Sequence, residues 1–382
     1  MDRERLHRLL RLGFEKGASD IHFQVGCLPL YRFNGELVEL RFKVLEPSDT
    51  EAMVRILMGV EPGDSLDRVA DVDLAYEISG EGRFRVNISR ERRSFNIVLR
   101  VIPIEIKSFD DLNLPSILNK IADVRRGLAL VTGATGMGKS TTLATMIQQI
   151  NTTRKCKIVT IEDPVEFIFK HERAIITQRE VGTDTPSFPA ALRAALRQDP
   201  DVIMVGEIRD KETVDTALKA SETGHAVFSS IHTSDVVSSI RRILSFFPAE
   251  EAQQVRERLA DNMQAVVSLR LLANKKGNGR VPAVEIMRMT RSIQSCLRAD
   301  KLDEVHQHIA RGREHMQMQT FDQHLLDLYQ AGKINLDVAS AAASNPRDFA
   351  TQLALEGDEP GIEGAKEEEN PGPVEIEEDE RF

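Results

Sequence analysis

The glycine-rich stretch from Val131 to Thr142, VTGATGMGKSTT, constrains the fold of this chain more than any other segment. An apolar run, LALVT, leads into it, and a helix-like run, STTLATMIQQI, follows it. Glycine permits positive φ and lets the backbone approach a ligand closely. A strand, a glycine loop and a helix in this order indicate an α/β domain that binds an anion at the start of the helix.

The loop matches the pattern G-x-x-x-x-G-K-[ST]. Its N–H groups can surround a phosphate, and the helix dipole adds positive potential. Lys139 can reach the β- and γ-phosphates, and the Ser140 hydroxyl can bind Mg²⁺. The sequence therefore predicts ATP as ligand and Mg²⁺ as cofactor. The predicted contacts are Gly133, Ala134, Thr135, Gly136, Met137, Gly138, Lys139, Ser140 and Thr141.

Residues 118–350 are predicted to form the nucleotide-binding domain. Apolar runs such as GLALVT, CKIVTIE, DVIMVGE and AVFSSIHT alternate with helix-like runs. This order predicts a mainly parallel sheet with helices on both faces. Ligands bind such sheets at the carboxyl ends of the strands, where each charged motif of this region lies.

Residues 1–104 are predicted to form a mixed α+β domain, followed by a linker over 105–117. Leu6, Leu9, Leu10 and Phe14 make a helical stripe. Asn34-Gly35 is a hairpin signal. Further turns are expected at residues 80–82 and 90–93, between strand-like runs.

An acidic, disordered tail is predicted over residues 351–382. From residue 356 onward it holds twelve acidic and two basic residues, which accounts for the whole net charge of −10. The body is therefore neutral, and nothing in its charge indicates binding to nucleic acid. The tail could serve solubility or dock a basic partner.

The cysteines and the apolar runs argue against a zinc protein of the C-x-x-C type and against a membrane-spanning protein. Cys27, Cys156 and Cys296 are far apart and form no C-x-x-C pair, so we expect ordinary thiols in a reducing compartment and no structural zinc of that type. No apolar run approaches the ~18 residues of a membrane span. We expect no membrane insertion and no signal peptide.

Three carboxylates follow apolar strands and are candidates for catalysis. Glu207 ends DVIMVGE and is the natural group to polarise the attacking water of ATP hydrolysis. Glu162 and Glu166 flank Pro164 in IEDPVEF, where one or both could bind Mg²⁺ through water or form local ion pairs.

Two histidines bracket the strand AVFSSI. His232 lies at its carboxyl end and is the better candidate to sense the γ-phosphate. His225 could contact the nucleotide or be a structural histidine with its hydrogen bonds satisfied, and a zinc pair lacks a supporting cysteine. Arg209 could contact phosphate or pair with a neighbouring carboxylate.

The motifs resemble one family in particular. GATGMGKST, TIEDPVEF, RQDPDVIMVGEIRD and TGHAVFSSIHTSD are similar to the Walker A, Asp-box, Walker B and His-box motifs of bacterial secretion-type ATPases. ASDIHF, GRFRVN and MQTFDQHLLDLYQAGKI resemble the type IV pilus retraction ATPases, the PilT/PilU group. The resemblance covers about residues 1–350.

This resemblance implies a PAS-like N-terminal domain, a RecA-like ATPase domain and a hexameric ring, with nucleotide between the two domains. By the family pattern Glu207 is the catalytic glutamate, and Glu166 and His232 fill the Asp-box and His-box positions. Arg85 and Arg100 match arginines that reach the γ-phosphate. Without the resemblance, the arginines of this region read as a solvated basic face: Arg83, Arg85, Arg90, Arg92 and Arg93.

The resemblance also implies a subtype and partners. The chain lacks the four-cysteine insertion of pilus-assembly and type II secretion ATPases, which favours retraction. In RSIQSCLRAD, which resembles the retraction motif A-I-R-N-L-I-R-E, the central arginine is Gln294. A PilU-like accessory subunit, alone or in a mixed ring with a paralogue, is therefore the alternative to an autonomous motor. Either would act in the cytoplasm, on the platform protein of the pilus at the inner membrane.

Two other functions compete with the motor. A nucleotide-binding regulatory subunit would bind ATP tightly and hydrolyse it weakly. A nucleic-acid translocase is disfavoured, because the body is neutral and three tyrosines with no tryptophan offer little for base stacking.

Overall fold

A computed structural model describes residues 1–33, 35–61, 64–67, 69–78, 82–102, 106–277, 279–344 and 346–355. Two sheets organise these residues, one before and one after residue 106. Asn34 of the predicted hairpin, residues 80 and 81 of the turn predicted at 80–82, and the acidic tail from 356 onward lie outside the described residues, whereas Gly82 is described and begins a strand. No helix in the described part of the chain is long and apolar enough to span a bilayer.

The first sheet is antiparallel throughout, in the order β3-β2-β1-β6-β5-β4. Its strands are β1 (Asp20–Phe23), β2 (Leu30–Phe33), β3 (Glu36–Glu39), β4 (Val72–Ile78), β5 (Gly82–Glu91) and β6 (Ser94–Ile102). Helices α1 (Arg3–Glu15) and α2 (Pro47–Met58) accompany it. The predicted stripe of α1 buries Leu6, Leu9 and Leu10 against the sheet, because residues at this spacing share one helical face.

The second sheet has the order β13-β12-β7-β11-β10-β8-β9. Its strands are β7 (Gly127–Thr132), β8 (Lys157–Glu162), β9 (Ile175–Glu180), β10 (Val202–Val205), β11 (Ala226–Ile231), β12 (Met263–Ala273) and β13 (Arg280–Arg288). All neighbours are parallel except β12 and β13. Strands β7, β10 and β11 are buried at every residue, as expected for a parallel sheet covered on both faces. The predicted α/β sheet is confirmed.

Helices cover both faces of this sheet. The helices are α3 (Ile117–Ala122), α4 (Lys139–Thr153), α5 (Phe188–Ala195), α6 (Lys211–Glu222), α7 (Val236–Ser245), α8 (Ala252–Asn262), α9 (Arg291–Arg298), α10 (Val305–Arg311), α11 (Arg313–Met316), α12 (Phe321–Gln330), α13 (Leu336–Ala342) and α14 (Pro346–Leu355). One core joins the sheet to α3 and α4, and another joins its opposite face to α5 through α10.

The chain on either side of this sheet differs from the sequence-based boundaries. Phe109 and Leu114, in the predicted linker, are buried in the core beside α4. At the other end, α14 continues to Leu355 and includes the first five residues of the predicted tail, because Phe349 and Leu353 pack with α12 and β13.

Candidate nucleotide-binding site

The loop between β7 and α4 is shaped by glycines that no other residue could replace without strain. Gly133, Gly136 and Gly138 have φ of 151°, 78° and 86°. A Cβ on Gly133 would lie 2.8 Å from the carbonyl oxygen of Leu269. Gly138 is the N-cap of α4, so the loop delivers its N–H groups directly to a helix start. This is the backbone arrangement that the sequence predicts for a phosphate-binding loop.

Strand β12 anchors the loop from the side. Thr132 Oγ1, at the end of β7, donates to Ser268 Oγ at 2.8 Å. The N–H of Leu271 points to the sulfur of Met137 at 3.2 Å. Met137 is therefore a packing residue of the loop, while Ala134, Thr135 and Gly136 are exposed.

Lys139 turns back over the loop that precedes it. Its Nζ donates to the carbonyl oxygens of Gly133 at 2.9 Å and Ala134 at 3.0 Å. Burial lowers the pKa of Lys139, and the charges of Glu207 and Glu166 oppose that shift. Both carboxylates therefore lie close enough to act on the lysine electrostatically.

His232 connects the loop lysine to Glu207. Its Nδ1 lies 3.2 Å from Lys139 Nζ, and its Nε2 lies 3.1 Å from Glu207 Oε1. An ammonium group can only donate, so Nδ1 accepts and the proton of a neutral ring resides on Nε2, which donates to the carboxylate. Thr135 Oγ1 lies 3.5 Å from the same Nδ1. The loop, the histidine and the glutamate thus form one chain of contacts.

The backbone around Glu207 is fixed by the next strand. Ser230 Oγ donates to the carbonyl of Gly206 at 2.6 Å, and the N–H of Ile208 donates to the carbonyl of Ser230 at 2.9 Å. Arg209 pairs with the other oxygen of Glu207 at 2.7 Å, and this hydrogen bond raises the pKa of the arginine. Arg209 therefore takes the carboxylate-pairing alternative in the described chain.

Glu162 and Glu166 have different environments. Glu162 is buried and accepts from Thr160 Oγ1 at 2.6 Å and Gln178 Nε2 at 3.2 Å, and burial raises its pKa. It also accepts the N–H of Glu166 at 3.4 Å, which positions the loop that carries the exposed Glu166. The two glutamates are therefore not equivalent, and of these two it is the charge of Glu166 that raises the pKa of Lys139.

The described residues fit a magnesium ion. The hydroxyl of Ser140 is half-buried at the second position of α4, next to Thr141. Glu166 and Glu207 supply carboxylate oxygens near the same lysine. Hydroxyl and carboxylate oxygens are the hard donors that Mg²⁺ prefers.

His225 lies at the amino end of β11, whereas the phosphate loop lies at the carboxyl ends of the strands. It precedes β11 and its carbonyl accepts from the N–H of Gly127, the first residue of β7. The six residues of β11, roughly 20 Å at ~3.3 Å per residue, separate it from His232. Its Nδ1 contacts the carbonyl of Ala220 at 2.9 Å and Thr223 Oγ1 at 3.1 Å. These contacts match the structural alternative, and they do not bring His225 to the phosphate loop of its own chain.

Arg85 and Arg100 lie side by side but away from the loop. They are register partners on β5 and β6, both are exposed, and Arg100 Nε donates to Asp20 at 3.1 Å. Within the described residues, no hydrogen bond or ion pair joins either arginine to the phosphate loop. Arg85 instead lines a cleft of about 690 Å³ together with Asp163.

One of the neighbouring arginines, Arg83, departs from the solvated face that the sequence suggests. Arg83 Nη2 pairs with Glu180 Oε2 at 2.8 Å, with side-chain exposures of 17% and 11%. Arg90 lies over the ring of Phe95 and donates to backbone carbonyls. Arg90 is exposed all the same, as are Arg85, Arg92 and Arg93. Four of the five arginines are therefore solvated, and Arg83 is the exception.

Sequence reasoning missed Glu180 and Gln178. Glu180 also accepts the N–H of Val165 at 3.0 Å, and Gln178 Nε2 donates to the carbonyl of Phe167 at 2.8 Å. Both residues lie on β9 and hold the segment after Glu162. The run IITQRE is polar in its last four residues and carries no motif from which this role could be read.

Comparison with known proteins places these features in one family. The family model described as "Type II/IV secretion system protein" matches residues 5–359. The type IV pilus retraction ATPase PilT of Pseudomonas aeruginosa is 40% identical over 341 residues, covering 89% of this chain and 98% of the relative. The type IV pilus ATPase PilU of the same organism is 38% identical over 348 residues, covering 91% of each.

A solved structure agrees with the sequence matches. The crystal structure of the pilus retraction motor PilT with bound ADP superposes with a TM-score of 0.82 at 43% identity, covering 90% of this chain and 98% of that chain. Fold, motif order and sequence therefore point the same way: the chain belongs to the type II/IV secretion system protein family.

Proposed function

We propose that this chain is a Mg²⁺-dependent ATPase that drives retraction of a type IV pilus, the process behind twitching motility. The observation that supports this most strongly is the chain of contacts from Lys139 through His232 to Glu207 beside the phosphate loop. The similarity to PilT over most of both chains supports the biological role.

In the proposed mechanism the loop amides between Gly133 and Ser140 bind the phosphates, and Lys139 exchanges its loop carbonyls for phosphate oxygens. Glu207 orients and polarises the attacking water, as phosphoryl transfer depends on positioning and electrostatics. His232 holds Glu207 in place and senses whether Lys139 is engaged with phosphate. A magnesium ion held by Ser140 and Glu166 would neutralise charge on the phosphates.

We further propose the family architecture for this chain: a PAS-like domain over residues 1–104 and a RecA-like domain over 118–350, joined by the segment 105–117, which packs on the second sheet through Phe109 and Leu114. The chains would assemble as a hexamer in the cytoplasm against the inner-membrane platform of the pilus. Arg85 and Arg100 would then meet the γ-phosphate only after the domains or neighbouring subunits close. The cleft that contains Arg85 and Asp163, between the two sheets, is where such closure would occur.

The test of the biological role is a replacement of Lys139 by Ala in the natural host. We expect pili that extend but do not retract, and loss of twitching. Normal retraction with a variant that cannot bind nucleotide would contradict the proposal. Light scattering on the purified chain with ATP tests the hexamer separately.

An accessory role remains the second candidate because of Gln294. This residue is half-exposed on α9, where the retraction motif has an arginine. An accessory subunit would show weak turnover alone and stimulation after mixing with a paralogous ATPase. The variant Gln294→Arg distinguishes the accessory subunit from the autonomous motor. If Gln294 is what makes the chain depend on a paralogue, the variant should increase retraction in cells that lack the paralogue.

A further inference from the structure

The corner between α9 and α10 brings together side chains that the proposed mechanism does not use. The turn is fixed by its backbone, because the N–H of Lys301 donates to the carbonyl of Cys296 at 2.9 Å, and Asp300 has φ of 58°. A short 3₁₀ turn, Leu302–Glu304, leads into α10. The chain therefore returns across the last turn of α9 in a defined geometry.

Three metal-binding atom types converge in this corner. The sulfur of Cys296, a carboxylate oxygen of Glu304 and a ring nitrogen of His308 all lie within 4.8 Å of one another. Glu304 and His308 are four residues apart and share one side of the chain entering α10. Cys296 faces them from α9, with 4% of its surface exposed. The set comes from two elements held by one turn.

Little else engages these donors. Among the described residues, no side-chain hydrogen bond involves the Cys296 thiol or the His308 ring. Glu304 accepts from Lys301 Nζ at 3.1 Å, but these side chains are 50% and 61% exposed. Exposed pairs of this kind contribute little to stability, so a cation can displace the lysine readily.

Thiolate, imidazole and carboxylate are the donors that Zn²⁺ takes together. Bond lengths of 2.0–2.3 Å in a tetrahedral site place donors roughly 3.5 Å apart. The three atoms need to approach by about 1 Å, which rotation of the partly exposed Glu304 and His308 side chains can supply. Burial and the Glu304 carboxylate raise the pKa of the Cys296 thiol, so a bound ion would have to displace its proton.

We propose that Cys296, Glu304 and His308 form a zinc site that clamps the last turn of α9 to α10, with water as the fourth ligand. The site would fix the helix whose sequence departs from the retraction motif at Gln294. It is independent of the phosphate loop, and its occupancy can be measured without any assay of ATP hydrolysis.

In the experiment, the full-length, metal-stripped chain is titrated with Zn²⁺ in a buffer that contains excess Mg²⁺ and no nucleotide. Gel filtration and metal analysis follow. We expect one zinc per chain to be retained, and retention to fall at least tenfold in Cys296→Ser and His308→Gln. Matched controls are His306→Gln, on the same helix, and Cys156→Ser, a half-buried thiol elsewhere. Both should retain zinc as the wild type does.

Cobalt gives a second readout that reports sulfur directly. Co²⁺ bound to this site should show a thiolate-to-metal charge-transfer absorption that disappears in Cys296→Ser and persists in Cys156→Ser. Circular dichroism checks that each variant is folded. Two results would overturn the proposal: absence of retained zinc in the wild type, or retention in Cys296→Ser and His308→Gln equal to that of the wild type.

Discussion

His232 Nε2 lies 3.1 Å from Glu207 Oε1, while the opposite ring nitrogen faces the ammonium of Lys139 at 3.2 Å. One imidazole thus reports on the phosphate-loop lysine and holds the candidate catalytic carboxylate. The two roles use different ring nitrogens, and substitutions that imitate one nitrogen at a time can separate them.

We expect His232→Gln to retain more activity than His232→Asn. A glutamine amide can place a donor near the position of Nε2, whereas asparagine reaches only the position of Nδ1. Loss of a hydrogen bond to a charged group costs about 1.5–3 kcal/mol, so the Asn variant should lose roughly 10- to 150-fold in kcat. Steady-state hydrolysis measures this, with His225→Gln as control. Equal losses in the Gln and Asn variants would mean that the contact with Glu207 is not the one that matters.

Gly133→Ala should disrupt nucleotide binding with little loss of fold. Its Cβ would lie 2.8 Å from a backbone oxygen of β12, which cannot move as a flexible side chain does. The free loop can relax to relieve this clash, and binding must then restore a strain of about 1–3 kcal/mol, which predicts a Kd for ADP raised about 5- to 150-fold. Gly59→Ala is the control, because Gly59 also has positive φ, at 67°, but a Cβ there would meet nothing within 4 Å. Calorimetry with unchanged affinity in Gly133→Ala would show that the loop tolerates the shift.

The ion pair between Arg83 and Glu180 should couple the two sheets. Arg83→Met leaves Glu180 with less compensation in a largely buried position, so we expect a loss of about 1–3 kcal/mol in unfolding free energy. In a double-mutant cycle with Glu180→Gln, the double variant should lose less unfolding free energy than the sum of the two single variants, because the ion pair is lost only once. Arg193→Met, which removes an exposed pair with Glu212, is the control and should cost under about 1 kcal/mol. Additive effects of Arg83→Met and Glu180→Gln would exclude the coupling.

Glu285 and His324 should give opposite dependences of stability on pH. Burial raises the pKa of Glu285 from 4.5 to about 7 and lowers the pKa of His324 from 6.5 to about 4. Between pH 4.5 and 7 the folded chain keeps a proton on Glu285 that the unfolded chain has released, so stability falls as pH rises. Between pH 4 and 6.5 the unfolded chain protonates His324 and the folded chain does not, so stability rises with pH.

Each contribution is about 3 kcal/mol, and the two nearly cancel from pH 4.5 to 6.5. Relative to wild type, His324→Asn should become less stable as pH rises through this window, and Glu285→Gln should become more stable. Asn can still accept the N–H of Val284, and Gln the N–H of Val236, so the hydrogen bonds persist. Urea unfolding at several pH values measures the differences. Parallel pH profiles for both variants and wild type would refute the assignment.

The sequence predicted the centre of the second sheet but not its edges. Strands β7, β8, β10 and β11 are continuous apolar runs, which is the pattern of buried parallel strands. Strand β13 is interrupted in sequence by Pro282 and by the buried Glu285, so its run does not read as a strand. Strand β9 is as long as β7, β8 and β11, but its last four residues are polar, because it lies at the edge of the sheet and holds the segment after Glu162.

The candidate site divides in the same way. The phosphate loop is a local pattern, and its glycines can be read from spacing alone. The contact between Arg83 and Glu180 joins residues 97 apart, and only tertiary packing brings them together. The two histidines show the limit of strand-end reasoning: His232 lies at the loop, whereas His225, at the other end of β11, does not.

The most direct test of the central claim is steady-state ATP hydrolysis by the purified chain, with Glu207→Gln beside the wild type and assembly followed by light scattering. Glu212→Gln, on the first turn of α6, is the matched control. We predict that kcat falls by roughly 10²- to 10⁴-fold in Glu207→Gln while nucleotide binding and ring size are unchanged. Undiminished turnover in Glu207→Gln would contradict the assignment of Glu207 as the catalytic carboxylate.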